Sequence, residues 1–523
     1  MRCWQAVSLL NSRLMQEKSL IASERKQRTT RSFMYGLSWT YASVMLQGIV
    51  KLGVLMLLAR LLSPREFGLL GYALLCASFI ERLGQAGVGA ALVQVRAFDI
   101  DAVRTAHILS MLSGVVGALG MWVLAPFLTS FFGEPELLVI VRALSVGTFI
   151  EGCGMASDAT LQRHLRFKEL TLADNIPYVL SMGLVATSLA YLHFGVWALV
   201  WAQLVLKGCR TWILFSCTRE FRGGKFQGEK AGELMRVGLG FGLARLLNFF
   251  SLQGDNFVVG RLLGTEALGL YSRAYQLMTL PAMYVGQLFE RVMFPTMARR
   301  QDELVELRRQ FLLSLEAISL VTIPIAIFMY LFSEHIVLAA FGEAWSGMVP
   351  VFSVLSWGVF FRTAYKCSDT LARSVGAAYS YAARQALYTV LVVGGSCLGA
   401  WIYDLSGVAC GVVAALLLNY ISMTRLSRRI LDLSWRSLMY AHIPGVNLGI
   451  VVGLSAWLTR DWIQTSIRHA VLVLIVASLV SLVAGVLWMI TWHYRRPPAV
   501  IQEVCDYVKS WSEGRAARAK ATA

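Results

Sequence analysis

Long apolar stretches alternate along this chain with short polar breaks, and Ser319 to Phe332 and Val471 to Ile490 are among the purest of them. A run of about 20 apolar residues crosses hydrocarbon as a helix, because a helix pairs its own backbone donors and acceptors. The pattern predicts about fourteen such helices. They fall near 33–60, 67–93, 105–131, 137–160, 172–192, 195–217, 234–262, 266–293, 310–332, 349–372, 380–402, 406–424, 439–458 and 468–492. The expected fold class is an all-α integral membrane protein.

Two stretches read as copies. Ala59-Arg60-Leu61-Leu62 is followed by Gly68-Leu69, and Gly260-Arg261-Leu262-Leu263 by Gly269-Leu270 at the same spacing. Further on, Phe149, Glu151, Ser157 and Asp158 align with Phe360, Arg362, Ser368 and Asp369. A repeat of roughly 200 residues is a common transporter plan. Six predicted helices separate the copies, so the halves run in the same direction and should be related by a pseudo-twofold axis along the membrane normal. The expected organisation is a basic cytoplasmic segment (1–31), an N-terminal six-helix bundle (32–217), a cytoplasmic linker (218–232), a C-terminal bundle (233–430), an additional helix pair (431–492) and a cytoplasmic tail (493–523). In that tail Ile501, Val504, Val508 and Trp511 recur at helical spacing, as in a helix lying on a membrane surface or in a frayed polar end.

Composition agrees with the span pattern. Of 523 residues 57% are hydrophobic and 15% charged, against about a quarter charged in soluble domains. Mean hydropathy is +0.59. The net charge of +17 would suggest nucleic acid in a soluble protein. Here the basic residues gather in alternate loops, as in Arg163/Arg166/Lys168, Arg219/Arg222/Lys225/Lys230 and Arg425/Arg428/Arg429/Arg436. The positive-inside rule then places both termini in the cytoplasm. The nine cysteines are scattered and include no C-x-x-C pair, so no zinc site or disulfide framework is expected. Residues 1–31 lack a signal-peptide core, and Met15 is an alternative start.

Ionisable groups at bilayer depth cost about 2.5–3.5 kcal/mol each on insertion scales, so they tend to face a cavity or a partner. Arg362, Lys366, Asp369 and Arg373 share one face of the tenth span, and Glu151, Met155, Asp158 and Gln162 share the equivalent face of the fourth. One face is net positive and the other net negative. Glu151 and Arg362 are therefore expected to approach across a central cavity as a coupling gate, or else to staple the halves as a static pair. Lys51, Arg82, Arg245, Asp255, Arg273, Gln287, Arg362 and Lys366 are the candidate cavity-lining residues. Such a cavity has surplus positive charge and suits a phosphate-bearing ligand, which arginine grips in bidentate fashion. Trp197, Trp201, Trp345, Trp401 and Trp462 lie near span ends and read as an interfacial aromatic belt. No nucleophile–base constellation, metal-ligand set or cofactor motif stands out.

Four stretches carry a resemblance: Leu58 to Gly68 (LARLLSPREFG), Leu161 to Lys168 (LQRHLRFK), Asp255 to Gly264 (DNFVVGRLLG) and Leu270 to Gln276 (LYSRAYQ). Over roughly Arg28 to Arg429 the sequence resembles the polysaccharide flippases (Wzx-type, colanic-acid exporter-like) of the multidrug/oligosaccharidyl-lipid/polysaccharide exporter superfamily. The resemblance implies a flippase in the bacterial inner membrane, not an enzyme. It would carry undecaprenyl-pyrophosphate-linked oligosaccharide to the periplasmic leaflet for exopolysaccharide, capsule or O-antigen (lipopolysaccharide) synthesis. It also implies alternating access driven by proton or cation antiport, with no cofactor. Membrane lipids and the polysaccharide polymerase and chain-length or export proteins are the partners it suggests, and nucleic acid is not among them. Members often have twelve spans, so two of the fourteen would be additional. The alternatives are a multidrug/cation antiporter of the same superfamily, which should line its site with carboxylates, and a membrane-embedded polymerase or ligase, which usually carries a long loop bearing acid–base residues. A structural scaffold within the biosynthetic complex is a further alternative.

Overall fold

The computed structural model describes residues 48–84, 88–94, 99–219, 223–301, 303–466 and 469–495. Residues up to Leu57 group apart from the rest. Of them only the helical stretch from residue 48 is described, and it carries Lys51, which is exposed. The termini, with the expected surface helix of the tail, lie outside the described residues.

Helix follows helix along the chain, with no strand among the described residues. After α1 (48–61) come α2 (Pro64–Gly84), α3 (Val88–Gln94), α4 (Ile100–Phe132) and α5 (Leu137–Arg163). The next predicted span is α6 (Phe167–Tyr178), a π-helical stretch (Val179–Ala186) and α7 (Thr187–Tyr191) in succession. Then follow α8 (Val196–Cys217), α9 (Gly228–Leu263), α10 (Thr265–Arg299) and α11 (Leu304–Leu331). A short α12 (Ser333–Ala340) and a 3-10 segment (Glu343–Met348) lead into α13 (Val349–Ser356) and α14 (Gly358–Ser374). The chain continues through α15 (Ala378–Leu431), α16 (Trp435–Ser466) and α17 (Ala470–Arg495).

Local chemistry sets the boundaries. Asp99 caps α4 by accepting the Ala102 N–H at 2.8 Å, and α4 stops at Gly133 in the left-handed region (φ 72°). That conformation suits glycine and lets its N–H return to the Thr129 carbonyl. The 54 residues of α15 are two arms broken at Tyr403 and Asp404, whose backbone is non-helical. The arms fold back on each other where Gly395 faces Gly411 and Gly399 faces Gly407, so that a Cβ on Gly399 would stand 2.1 Å from the Gly407 carbonyl oxygen. Paired G-x-x-x-G steps of this kind let two helices touch through their backbones.

Among the described residues seven helices are long and apolar enough to cross a membrane, or eight if the pair meeting at Ser356 and Gly358, bent by 41°, is one span. The broken α15 counts once among them. A helix occupies each predicted span from Pro64 onward, but the expected fourteen crossings exceed this number for a physical reason. Helices such as α2, α9 and α10 have the length, yet they carry the interior charges Glu81, Arg82, Asp255, Arg273 and Glu290. Their apolarity is diluted by the groups that make the protein's interior polar. The cores lie between helices. Phe311, Leu315, Ile318, Ala364 and Leu371 join α11 to α14, and Val88, Leu92, Ala106, Ala156 and Leu234 join α3, α4, α5 and α9.

Candidate functional site

The duplicated motifs meet each other. Gly68 on α2 lies against the backbone of Thr265, and Gly269 on α10 lies against the backbone of Pro64. Pro64 and Thr265 are equivalent positions of the repeat, so the contact is reciprocal. Around it, each half uses a side chain to satisfy carbonyls near helix ends of the other, where intrahelical donors run out. Tyr72 donates its hydroxyl to the Gly260 carbonyl at 2.6 Å, and Arg60 donates to the Ala339 carbonyl at 2.8 Å. Trp345 donates its indole N–H to the Ala59 carbonyl at 2.8 Å. Thr265 is hydrogen-bonded to Glu134, whose carboxylate also receives Arg65 at 3.3 Å.

Trp345 corrects the aromatic-belt expectation. It is completely buried, edge-on to Phe67 at 5.3 Å and beside Phe341. Trp201 and Trp401 are exposed, as a belt requires. The side chain of Trp462 lies outside the described residues.

Interior charges divide into two kinds. In the first half they are paired. Lys207 on α8 is hydrogen-bonded to Glu81 on α2 and stands 2.7 Å from Glu151 on α5. Thr148 donates to Glu81 at 3.2 Å. One turn further along α8, Arg210 holds Asp158 at 3.2 Å and Asp174 at 2.9 Å. Glu151 thus engages Lys207 and not Arg362, so the expected Glu151–Arg362 approach is not the pairing this conformation makes. Lys207 went unmarked in the sequence, although an ammonium midway along a predicted span is a signal in its own right.

In the second half several cations have no carboxylate partner among the described residues. Arg362 on α14 donates to the Tyr275 hydroxyl at 2.6 Å, its guanidinium 5.1 Å from the Tyr275 ring centre. Asp255, almost fully buried, takes the Tyr271 hydroxyl at 2.8 Å and the Asn256 N–H at 2.8 Å. Tyrosines therefore satisfy both charges, and the two are not joined as an ion pair. Arg273 lies 4.5 Å over the Phe67 ring, is hydrogen-bonded to Gln276 and leaves its Nε buried without a partner. Arg82, on α2 in the first half, lies over Phe249 with its Nε likewise unpartnered. Lys366 lies across Gly286, where any Cβ would meet its Nζ at 2.8 Å. Gln287 is half-buried beside it on α10. Among the described residues neither Arg82, Arg273, Arg362 nor Lys366 makes a salt bridge. Arg373, at the foot of α14, pairs with Glu290 at 2.6 Å and Asp369 at 3.1 Å.

Of the expected cavity residues, the Arg245 side chain lies outside the described set, and Lys51 belongs to the separately grouped N-terminal unit. Two crevices lie between corresponding helices of the two halves. One is lined by Glu81, Ser113, Thr148 and Glu151 among α2, α4 and α5. The other is lined by Glu290, Ser314, Lys366 and Thr370 among α10, α11 and α14.

A family profile described as "Polysaccharide biosynthesis protein" matches residues 57–350. The teichuronic acid biosynthesis protein TuaB of Bacillus subtilis is 26% identical over 460 residues, 84% of this chain and 93% of its own. The lipopolysaccharide biosynthesis protein WzxC of Escherichia coli is 23% identical over 345 residues, 65% of this chain and 67% of its own. Among solved structures, the lipid II flippase MurJ in an inward closed conformation aligns with a TM-score of 0.66 at 11% identity, covering 84% of this chain and 97% of that one. An inward-facing MATE multidrug transporter aligns at 0.61 and 16% identity, over 74% and 94%. At these identities the structural likenesses establish the fold.

Proposed function

The chain belongs to the polysaccharide biosynthesis protein family, and from that membership we propose that it is a flippase for polyprenyl-pyrophosphate-linked oligosaccharide. The observation that carries the reading is the set of interior cations, Arg82, Arg273, Arg362 and Lys366, that have no carboxylate partner among the described residues. An unpaired buried charge is costly. A diphosphate headgroup would supply the missing anions, and arginine suits phosphate geometry.

On this reading the helices form two six-helix bundles related by a pseudo-twofold axis, with α16 and α17 as the added pair. The protein sits in the bacterial inner membrane with both termini in the cytoplasm. The reciprocal contacts around Gly68 and Gly269 then close the periplasmic side, leaving the interior open toward the cytoplasm. The headgroup and sugars enter there while the polyprenyl tail stays in lipid. Rocking of the halves exposes the load to the other side, with a cation gradient as the energy source. Binding and translocation are the work, with no bond made or broken in the substrate.

Deletion in the native host is expected to accumulate lipid-linked oligosaccharide on the inner leaflet. Wild type should clear it, whereas Arg362→Ala and Lys366→Ala should not. Clearance by both variants would remove the assigned contacts, and an absence of accumulation on deletion would remove the flippase reading.

A further inference from the structure

We propose that Glu81, Lys207 and Glu151 form a one-proton site whose charge state sets how firmly α2 is held to the rest of the first half. The inference rests on the alternating-access reading and supplies a named place at which a proton could act.

Two carboxylates share one ammonium here, leaving one negative charge in excess. The side chains of Glu81 and Lys207 are each only 14% exposed. Lys207 and Glu151 stand near the middle of their helices, where an uncompensated charge is most expensive, and Glu81 reaches them from the last turn of α2. Thr148 adds a hydrogen bond to Glu81 but no charge. Among the described residues the nearby cations are otherwise engaged: Arg210 is taken by Asp158 and Asp174, and Arg82 lies over Phe249. The side of α4 that faces the triad contributes Ser113 and glycines, with no ionisable group lining the crevice. Both carboxylates line that crevice.

One added proton makes the cluster neutral. It removes the excess charge, and it reduces the two ion pairs on Lys207 to one. Of the three residues only Glu81 sits on α2, and α2 also carries Gly68. The thirteen steps from Gly68 to Glu81 span roughly 20 Å of helix. A helix of that length moves as a rod, so a change in the grip at Glu81 reaches the reciprocal contact at the far end. At high pH the Glu81–Lys207 pair holds α2 against α8, which Glu151 ties to α5, and the contact stays closed. After proton uptake α2 is held by fewer charges and is freer to shift with α10.

The test uses full-length protein in liposomes without substrate, so its outcome is independent of the headgroup reading. Spin labels on Glu136→Cys and Glu343→Cys, exposed positions flanking the contact on opposite halves, report its width by electron double resonance. Native cysteines are replaced by alanine. The wild-type background should show a narrow distance at pH 8 and a second, wider population at pH 5. Glu81→Gln and Glu151→Gln should each lose that pH response, and Lys207→Arg, which keeps the charge pattern, should retain it. The proposal fails if the wild-type background ignores pH, or if the glutamine variants respond as it does. It fails equally if 100 mM sodium chloride against choline chloride at pH 8 produces the wider population, since the occupant would then be sodium. Thermal unfolding and size-exclusion profiles matching the parent exclude misfolding as the cause of a lost response.

Discussion

Gly68 and Gly269, equivalent residues of an internal repeat, occupy each other's neighbourhood. A Cβ built on Gly68 falls 1.9 Å from the Thr265 carbonyl oxygen, and one on Gly269 falls 1.9 Å from that of Pro64. Backbone and not a flexible side chain is the obstacle in both places, so neither clash can relax locally. Gly68→Ala or Gly269→Ala should therefore push α2 and α10 apart without disturbing either half. Overpacking of this sort costs about 1–3 kcal/mol, or roughly 5–150-fold in the population of the closed contact. Cysteine at Leu62, buried in the parent, should become reactive to an impermeant maleimide in both variants. Unchanged reactivity would show that the contact does not hold the halves closed.

Trp345 should act as a peg for the same contact. Trp345→Phe keeps much of the packing on Phe67 but loses the bond to the Ala59 carbonyl, which costs about 1 kcal/mol. Trp345→Ala loses the packing as well, about 3–5 kcal/mol. The expected order of maleimide reactivity at Leu62→Cys is Ala above Phe above parent. Equal reactivity in all three would make Trp345 an ordinary core residue.

At the other end of α4, Asp99 joins the first turn of α9 to the start of α4. The Lys230 ammonium hydrogen-bonded to Asp99, helped by the Ala102 N–H, holds its carboxyl below the ordinary carboxylate value. A depressed folded-state value means the contribution is present above the unfolded value of about 3.9 and is lost as pH falls through the folded one. Asp99 is half exposed, so the ion pair itself is screened and weak. Hydrogen exchange across residues 223–234, after correction for intrinsic rates, should be flat from pH 8 to 5 and rise only below about pH 4. Asp99→Asn should retain the cap and lose this acid dependence, while Asp99→Ala should also lose about 1 kcal/mol of capping. An acid-induced rise that persists in Asp99→Asn would place its origin elsewhere.

Hydropathy located helices well because a membrane span must be both apolar and regular, and a helix lies at every predicted span from Pro64 onward. The repeat was legible for a related reason: glycines at 68 and 269 are the residues that let two backbones touch. Partnerships were less legible. Glu151 looked like a partner for Arg362 because its actual cation, Lys207, sits 56 positions later on a helix whose own repeat equivalent offers no clue. Trp345 looked interfacial because it lies near a span end, yet the end of one half is the inside of the contact with the other. Sequence position gives depth along a helix, whereas burial depends on which half covers that end. The break of α15 at Tyr403 and Asp404 was expected as a loop, and only its tightness was new.

Arg362 offers the sharpest test of the anion reading, because Tyr275 and not a carboxylate holds it. A carboxylate would neutralise the guanidinium, whereas a hydroxyl orients it and leaves its charge for a ligand. Tyr275→Phe keeps the ring under the cation and removes only the hydroxyl. A hydrogen bond to a charged group contributes about 1.5–3 kcal/mol, so affinity for a short polyprenyl pyrophosphate should fall roughly 10- to 150-fold if that bond pre-positions Arg362. Arg362→Lys keeps the charge but not the planar fork, and it should bind more weakly than the parent. Polyprenyl monophosphate should lose less to Arg362→Lys than pyrophosphate does, because it has fewer oxygens for a fork to span. Titration calorimetry in detergent reads all three comparisons. Equal affinities for Tyr275→Phe, Arg362→Lys and parent would leave Arg362 a structural residue and send the search for the phosphate site to Arg82 and Arg273.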